Sequence, residues 1–255
     1  MSQLAPVQDP ARLTRAHVYP FFLFMGCMLV LEFVTRQIGW KHPDAPWWRQ
    51  EPAQFIYPLQ TLVTLALVIY YWPSFSFRWS WRWGLTAVVL GAIGIGCWLL
   101  PTVLYDYWGL SATPTGVLKL LGVAERKEGF DPGVFHSPVA WWTAVSLRFL
   151  RLVVVVALVE EIFWRGFLMR FVADWEGEYW RQPFGRATWK SYLIVTGLFM
   201  AAHASIDYAA AFVYGTLTYL LCIWSKSLGA CVIMHATANL LMGLYIMAYG
   251  KYGLW

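Results

Sequence analysis

Polar and apolar positions along this chain separate into long blocks. About 20 mostly apolar residues span the hydrocarbon of a bilayer as a helix. Seven stretches meet that length, at roughly 18–38, 54–72, 83–101, 140–172, 189–204, 208–224 and 228–249. The fourth is long and interrupted by charge. The third carries Gly84, Gly91, Gly94 and Gly96, small residues that allow close helix approach. The stretch 101–139 is mixed, with Pro101, Pro114, Gly116, Gly122, Gly129, Pro132, Gly133 and Pro138 around a charged knot, Glu125-Arg126-Lys127-Glu128. An interfacial helix is expected over 114–127, with loop elsewhere. An eighth membrane element has room there. The pattern predicts an all-α, polytopic transmembrane helix bundle with about seven to eight membrane helices. There is no internal repeat, and the other loops are short. Residues 1–255 are therefore expected to form one integral membrane domain.

Composition strengthens this picture. The 255 residues are 59% hydrophobic and 13% charged; soluble domains run at about 45–50% and about 25%. Many of the 17 Trp and 14 Tyr sit at the ends of apolar blocks, including Trp47, Trp72, Trp79, Trp81, Trp141 and Trp189. Amphipathic rings favour the headgroup region there. The net charge of +5 is spread over loops and forms no nucleic-acid surface. The four cysteines, Cys27, Cys97, Cys222 and Cys231, lie in apolar blocks without CxxC spacing, so neither a disulfide framework nor a cysteine metal site is expected.

The polar segment Met1–His17, with Arg12 and Arg15, is similar to a signal-peptide n-region. The apolar run Val18–Val34 that follows is long and lacks a small-residue cleavage site, so a retained first span is expected. Orientation rests on a narrow margin. With the N-terminus inside, nine basic residues (Arg12, Arg15, Arg78, Arg82, Arg170, Arg181, Arg186, Lys190, Lys226) face seven on the other side (Arg36, Lys41, Arg49, Lys119, Arg126, Lys127, Lys251). Arg148, Arg151 and Arg165 fall inside the fourth block and are not counted. The positive-inside rule favours N-in.

Three clusters of polar residues fall inside apolar blocks: Glu160-Glu161-x-x-x-Arg165, Phe199-x-x-x-His203 and His235-x-x-x-Asn239. An ionisable group in hydrocarbon costs a few kcal/mol on insertion scales, and it marks a functional site by default. Glu161 and Arg165 are i and i+4 on a helix and can pair. Glu160 lies about 100° round from Glu161, aimed at a different neighbour. Arg165 is expected to neutralise and orient the acidic pair. With two adjacent carboxylates in low dielectric, at least one pKa is expected to rise, which suits a general acid or base. Phe199 lies one turn before His203, placed to pack beside the imidazole. His235 and Asn239 share a helix face and offer hydrogen-bond donors.

Each cluster alone has a structural alternative: a buried ion pair for the first, an interfacial histidine for the second, a helix–helix clasp for the third. Together they supply two functions. Glu160 with His203 can hold and deprotonate a water. His235 with Asn239 can donate to an oxyanion, a contribution of about 3–4 kcal/mol per donor. Amide hydrolysis needs both. The same Glu160, His203 and His235 match the ligand count of a catalytic zinc, with water as fourth ligand, although no HExxH or other compact spacing is present. A divalent metal and a metal-independent mechanism both stay open. One joint is weak: if the fifth block crosses completely, His203 sits at the opposite membrane face from Glu160 and His235.

The three motifs, in this order, resemble those of the CAAX protease and bacteriocin-processing (CPBP/Abi) family of intramembrane peptidases. The resemblance covers roughly 140–250, the expected catalytic core. It implies that Glu160 and His203 activate water and that His235 and Asn239 form the oxyanion hole; Glu161, Arg165 and Phe199 are expected from their spacing to support them. The chain is also similar to a bacterial CAAX-protease-related subgroup associated with exosortase sorting. The expectation is an intramembrane endopeptidase in the bacterial cytoplasmic membrane. Its partners would be the lipid bilayer and a membrane-associated protein or peptide substrate, with no nucleic acid. A non-catalytic scaffold or immunity-type binding protein of the same fold is the alternative. A proton-coupled transporter is less favoured, because paired broken helices and an inverted repeat are missing.

Overall fold

A computed structural model describes residues 9–38, 42 and 44–255. Lys41 of the charge count and the first eight residues of the basic N-terminal segment lie outside them. The described residues form helices joined by loops and contain no strand. Seven helices follow the seven apolar blocks: α1 (Pro10–Ile38), α2 (Pro52–Tyr70), α3 (Trp81–Tyr107), α5 (Pro138–Ala173), α6 (Trp189–Ala201), α7 (Tyr208–Ser225) and α8 (Leu228–Tyr249). Between α3 and α5 the expected interfacial helix over 114–127 shrinks to one turn, α4 (Val117–Leu120). Gly116 and Gly122, both at positive φ, bracket that turn and stop it from growing.

The helix starts are written locally. Asp9 caps α1 through a 3.0 Å bond accepted from the Ala11 amide, with Pro10 at the first helical position. Thr188 and Ser191 form a reciprocal capping box at α6. The Ser227 hydroxyl accepts from the Ala230 amide at 3.1 Å and opens α8.

The outside of the bundle is greasy. Phe22, Leu29, Ile69, Leu85 and Leu193 are each at least 60% exposed, while Gln60, Thr61, Thr64, Thr218 and Glu161 are completely buried. That distribution suits lipid outside and polar pairing inside. Six helices are long and apolar enough to cross a membrane. The protein is an integral, multi-pass membrane protein.

Two of the four α3 glycines make the close approach expected of them. A Cβ at Gly91 would lie 2.6 Å from the Met234 carbonyl of α8, and one at Gly94 would lie 2.8 Å from the Tyr214 ring of α7. Gly96 meets nothing within 4 Å.

The fifth block departs from expectation. Helix α6 has 13 residues and is not among the six crossing helices. It ends at Ala201, and the chain turns back through 202–207 into α7, so α6 and α7 form a hairpin. The loop 174–188 joins the end of α5 to the start of α6. Glu160 lies 13 residues before that loop and His203 lies 14 residues after Trp189. At 1.5 Å per residue both are about 20 Å from it. The depth mismatch disappears, because α6 stops where Glu160 needs a partner.

Candidate active site

Glu160, His203, His235 and Asn239 line one cavity of about 470 Å³. Three elements deliver them, α5, the C-terminal end of α6 and α8, and α1 closes one wall with Phe24, Met25 and Met28. Tyr214 of α7 lies behind, its ring 5.8 Å from that of His235.

Helix α5 is irregular around the motif. It winds as a π-helix over Leu150–Val156 and again over Ile162–Leu168, with one α-helical turn, Ala157–Glu161, between them. Such stretches release backbone groups and are frequent at functional sites. The Leu152 carbonyl is used in this way: it accepts from Asn239 Nδ2 at 2.7 Å, which fixes the amide plane and leaves the second N–H of Asn239 free of that contact.

The two glutamates diverge. Glu160 is half-buried, points into the cavity, and accepts from the Trp164 indole N–H at 3.4 Å. Glu161 is completely buried. Its Oε1 accepts from Arg165 Nη1 at 3.2 Å and from His235 Nδ1–H at 2.8 Å. Arg165, 1% exposed, also donates to the Gly215 carbonyl at 3.4 Å, and its guanidinium lies over the Phe199 ring at 5.4 Å. Its contacts run to Glu161 and none to Glu160, so the expected neutralisation of the pair is confined to one member.

Both histidines are held in a defined tautomer. His203 donates from Nδ1 to the Phe199 carbonyl at 2.7 Å, and its ring packs on Phe199 (4.6 Å) and Trp98 (5.2 Å). Its Nε2 then carries a lone pair. His235 is 5% exposed, with Nδ1 committed to Glu161. Its Nε2 accepts in the neutral ring and donates in the imidazolium.

Residues 140–241 match the family model described as Type II CAAX prenyl endopeptidase Rce1-like. The matched segment starts in α5, ends two residues past Asn239 and so contains all three motifs. It agrees with a CAAX protease family, and the Rce1-like endopeptidases are proteases. No curated protein and no solved structure matches the chain.

The metal alternative fares differently. Among the described residues, no group of three His, Cys, Asp or Glu side chains converges closely enough to hold an ion. Glu160, His203 and His235 share a cavity but do not form a ligand cluster.

Several cavity residues escaped the sequence reading. Arg151 lines the cavity with Glu160, donates from Nε to Gln60 Oε1 at 2.8 Å, and stacks over Tyr57 at 4.4 Å. As an arginine inside an apolar block it already carried the signal that singled out Arg165. Tyr214 is 3% exposed and its hydroxyl has no partner among the described residues; nothing in its sequence context marked it. Arg126 and Asp207 pair at the cavity edge, with an Nη1–Oδ2 distance of 3.4 Å and a second, closer contact. That pair ties the charged knot to the turn just after His203. Gly253, Leu254 and Trp255 also border the cavity, with the Gly253 amide donating to the Arg126 carbonyl at 2.9 Å.

Proposed function

We propose that this protein is an intramembrane endopeptidase that hydrolyses a peptide bond of a membrane-associated protein or peptide by glutamate-activated water. The observation that carries this reading is that Glu160, His203, His235 and Asn239, from three separate motifs, line a single cavity. Glu160 is the general base. His203 accepts a hydrogen bond from the water through Nε2 and orients it. The water oxygen attacks the scissile carbonyl carbon while its proton passes to Glu160. The carbonyl oxygen becomes an oxyanion and receives hydrogen bonds from His235 Nε2–H and from the free N–H of Asn239. Collapse breaks the C–N bond, and Glu160 returns the proton to the leaving amine. The products are a carboxylic acid and an amine.

Glu161 and Arg165 support this chemistry at one remove. Glu161 holds His235 by Nδ1, which leaves Nε2 as the ring nitrogen for the oxyanion. Arg165 offsets the charge of Glu161. Phe199 fixes the His203 tautomer through its carbonyl and the ring's position through its side chain. Arg151 places a positive charge on the same cavity wall as Glu160. The apolar walls from Phe24, Met25, Met28 and Met242 suit a greasy segment beside the scissile bond. Residues 140–250 form the catalytic core of one membrane domain, in a bacterial cytoplasmic membrane with the N-terminus inside.

The test compares protein termini in membranes that contain the wild type, Glu160→Gln or His203→Ala. New termini should appear with the wild type alone, at equal protein level. Termini produced equally by Glu160→Gln would remove the base from the mechanism. A full phenotype with no new termini in any membrane would favour the non-catalytic scaffold.

A further inference from the structure

A second cavity, of about 450 Å³, opens at the other end of the same helices. Where α5 gives Leu152 and Glu160 to the catalytic cavity, it gives Gly166 and Arg170 to this one. Where α8 gives His235 and Asn239, here it gives Leu228. The proposed peptidase chemistry uses none of these residues.

Its charge has one sign. Arg78, Arg170 and Lys226 line it, and no Asp or Glu does. Several other cations have carboxylate partners, Arg126 with Asp207, Arg165 with Glu161, Arg181 with Glu178 and Lys251 with Asp106, while Arg148 and Arg151 are covered by aromatic rings instead. Among the described residues, none of the three cavity cations has a carboxylate partner. Arg170 is half-buried, lies beside the Tyr179 and Phe184 rings and, among the described residues, donates only to the Gly166 carbonyl of its own helix, which leaves N–H groups on the guanidinium to spare. Ser74 is 8% exposed and lines the cavity.

Lys226 adds an independent sign. It is the one non-glycine residue at positive φ among the described residues, with φ of 50° where α7 ends. That position ordinarily takes glycine, and an L side chain there is disfavoured. A cation favours the C-terminal end of a helix, but an ordinary last-turn position would serve that purpose without strain. At 226 the side chain instead becomes part of the cavity wall.

The remaining lining mixes the aromatic rings of Trp180 and Phe184 with the polar His17, Ser76 and Gln182. Exposed Trp72, Trp79 and Trp81 flank the α2–α3 connection that supplies Ser74 and Arg78, the arrangement of a headgroup-level aromatic belt. With the N-terminus inside, this end meets the leaflet surface that carries anionic lipid. We infer that this cavity binds the phosphate of an anionic lipid headgroup, held by Arg78, Arg170 and Lys226 with the Ser74 hydroxyl as a further donor. This inference stands whether or not the protein is a peptidase.

The experiment follows thermal unfolding in phosphatidylcholine nanodiscs as the phosphatidylglycerol fraction rises at constant ionic strength. Wild type and Arg78→Gln/Lys226→Gln are compared. Wild type is expected to gain about 2–4 °C, and the double variant less than half of that, from a similar starting point in pure phosphatidylcholine. An undiminished gain in the double variant would overturn the site. Lys226→Gly serves if the double variant does not fold, since it removes charge and φ strain together. It should start at a higher unfolding temperature and respond less to phosphatidylglycerol; a full response counts against the inference. Inorganic phosphate added in detergent at matched ionic strength should give no comparable rise. An equal rise, lost in the variants, would replace the lipid by a free anion.

Discussion

The two faces that α5 presents at residues 160 and 161 have adjacent sequence positions and opposite environments. The 161 face is buried and paired through one oxygen: Glu161 Oε1 bridges Arg165 and His235, with exposures of 0%, 1% and 5% along the chain of contacts. The 160 face is open: Glu160 meets a cavity of about 470 Å³ and has one long hydrogen bond, from Trp164. The lesson is about division of labour. A carboxylate that must gain and lose a proton needs room for water, and a carboxylate that must hold a histidine needs its position fixed. One turn of helix between two π-helical stretches separates those demands.

The largest expected effect breaks the 160 face alone. Glu160→Ala should lower peptide cleavage about 10²–10⁴-fold, the usual contribution of a positioned acid–base group. Its unfolding temperature should stay close to that of the wild type, since Glu160 holds little together. The opposite pattern is expected on the 161 face. Glu161→Ala leaves Arg165 buried and unpaired and should cost about 3–5 kcal/mol of stability, visible as a lower unfolding temperature before any assay of cleavage. If the two variants were equally destabilised, the contrast between the faces would fail.

Asn239→Ala sits between these extremes. It removes a proposed oxyanion donor and should lower cleavage about 10²–10³-fold. It also releases the Leu152 carbonyl, so Asn239→Asp, which removes the N–H donors and keeps the shape, serves as a comparison: both should lose activity. The smallest effect belongs to the cavity edge. Asp207→Asn weakens the pair with Arg126 and should cost about 1.5–3 kcal/mol. Its influence on cleavage should be weaker than that of Asn239→Ala, because Asp207 touches no reacting atom.

Much of this was legible in the chain. Six apolar blocks became crossing helices, because hydrocarbon demands length and greasiness that no loop mimics. The three motifs stood out because ionisable groups are rare in such blocks. The divergence of Glu160 and Glu161 followed from the 100° helical step. Three things were hidden. The short α6 was indistinguishable from a crossing helix by hydropathy, since the turn at 202–207 continues apolar residues with Ala204 and Ile206. The π-helical stretches that expose the Leu152 carbonyl are set by packing between helices and have no sequence code. Arg165 was assigned to both glutamates because i, i+4 spacing identifies Glu161 but does not exclude its neighbour; the contact between Glu161 and His235 spans 74 residues and could not be read locally.

The most direct measurement is a paired one on Glu160→Gln and wild type in the same bilayer: new protein termini by mass spectrometry, and unfolding temperature on the same preparation. Glutamine keeps the size of the side chain and an oxygen for the Trp164 N–H, and it removes the base. Expected is loss of the cleaved termini with an unfolding temperature matching the wild type. Wild-type cleavage by the variant would contradict Glu160 as the base; loss of cleavage with collapsed stability would contradict the separation of the two faces of α5.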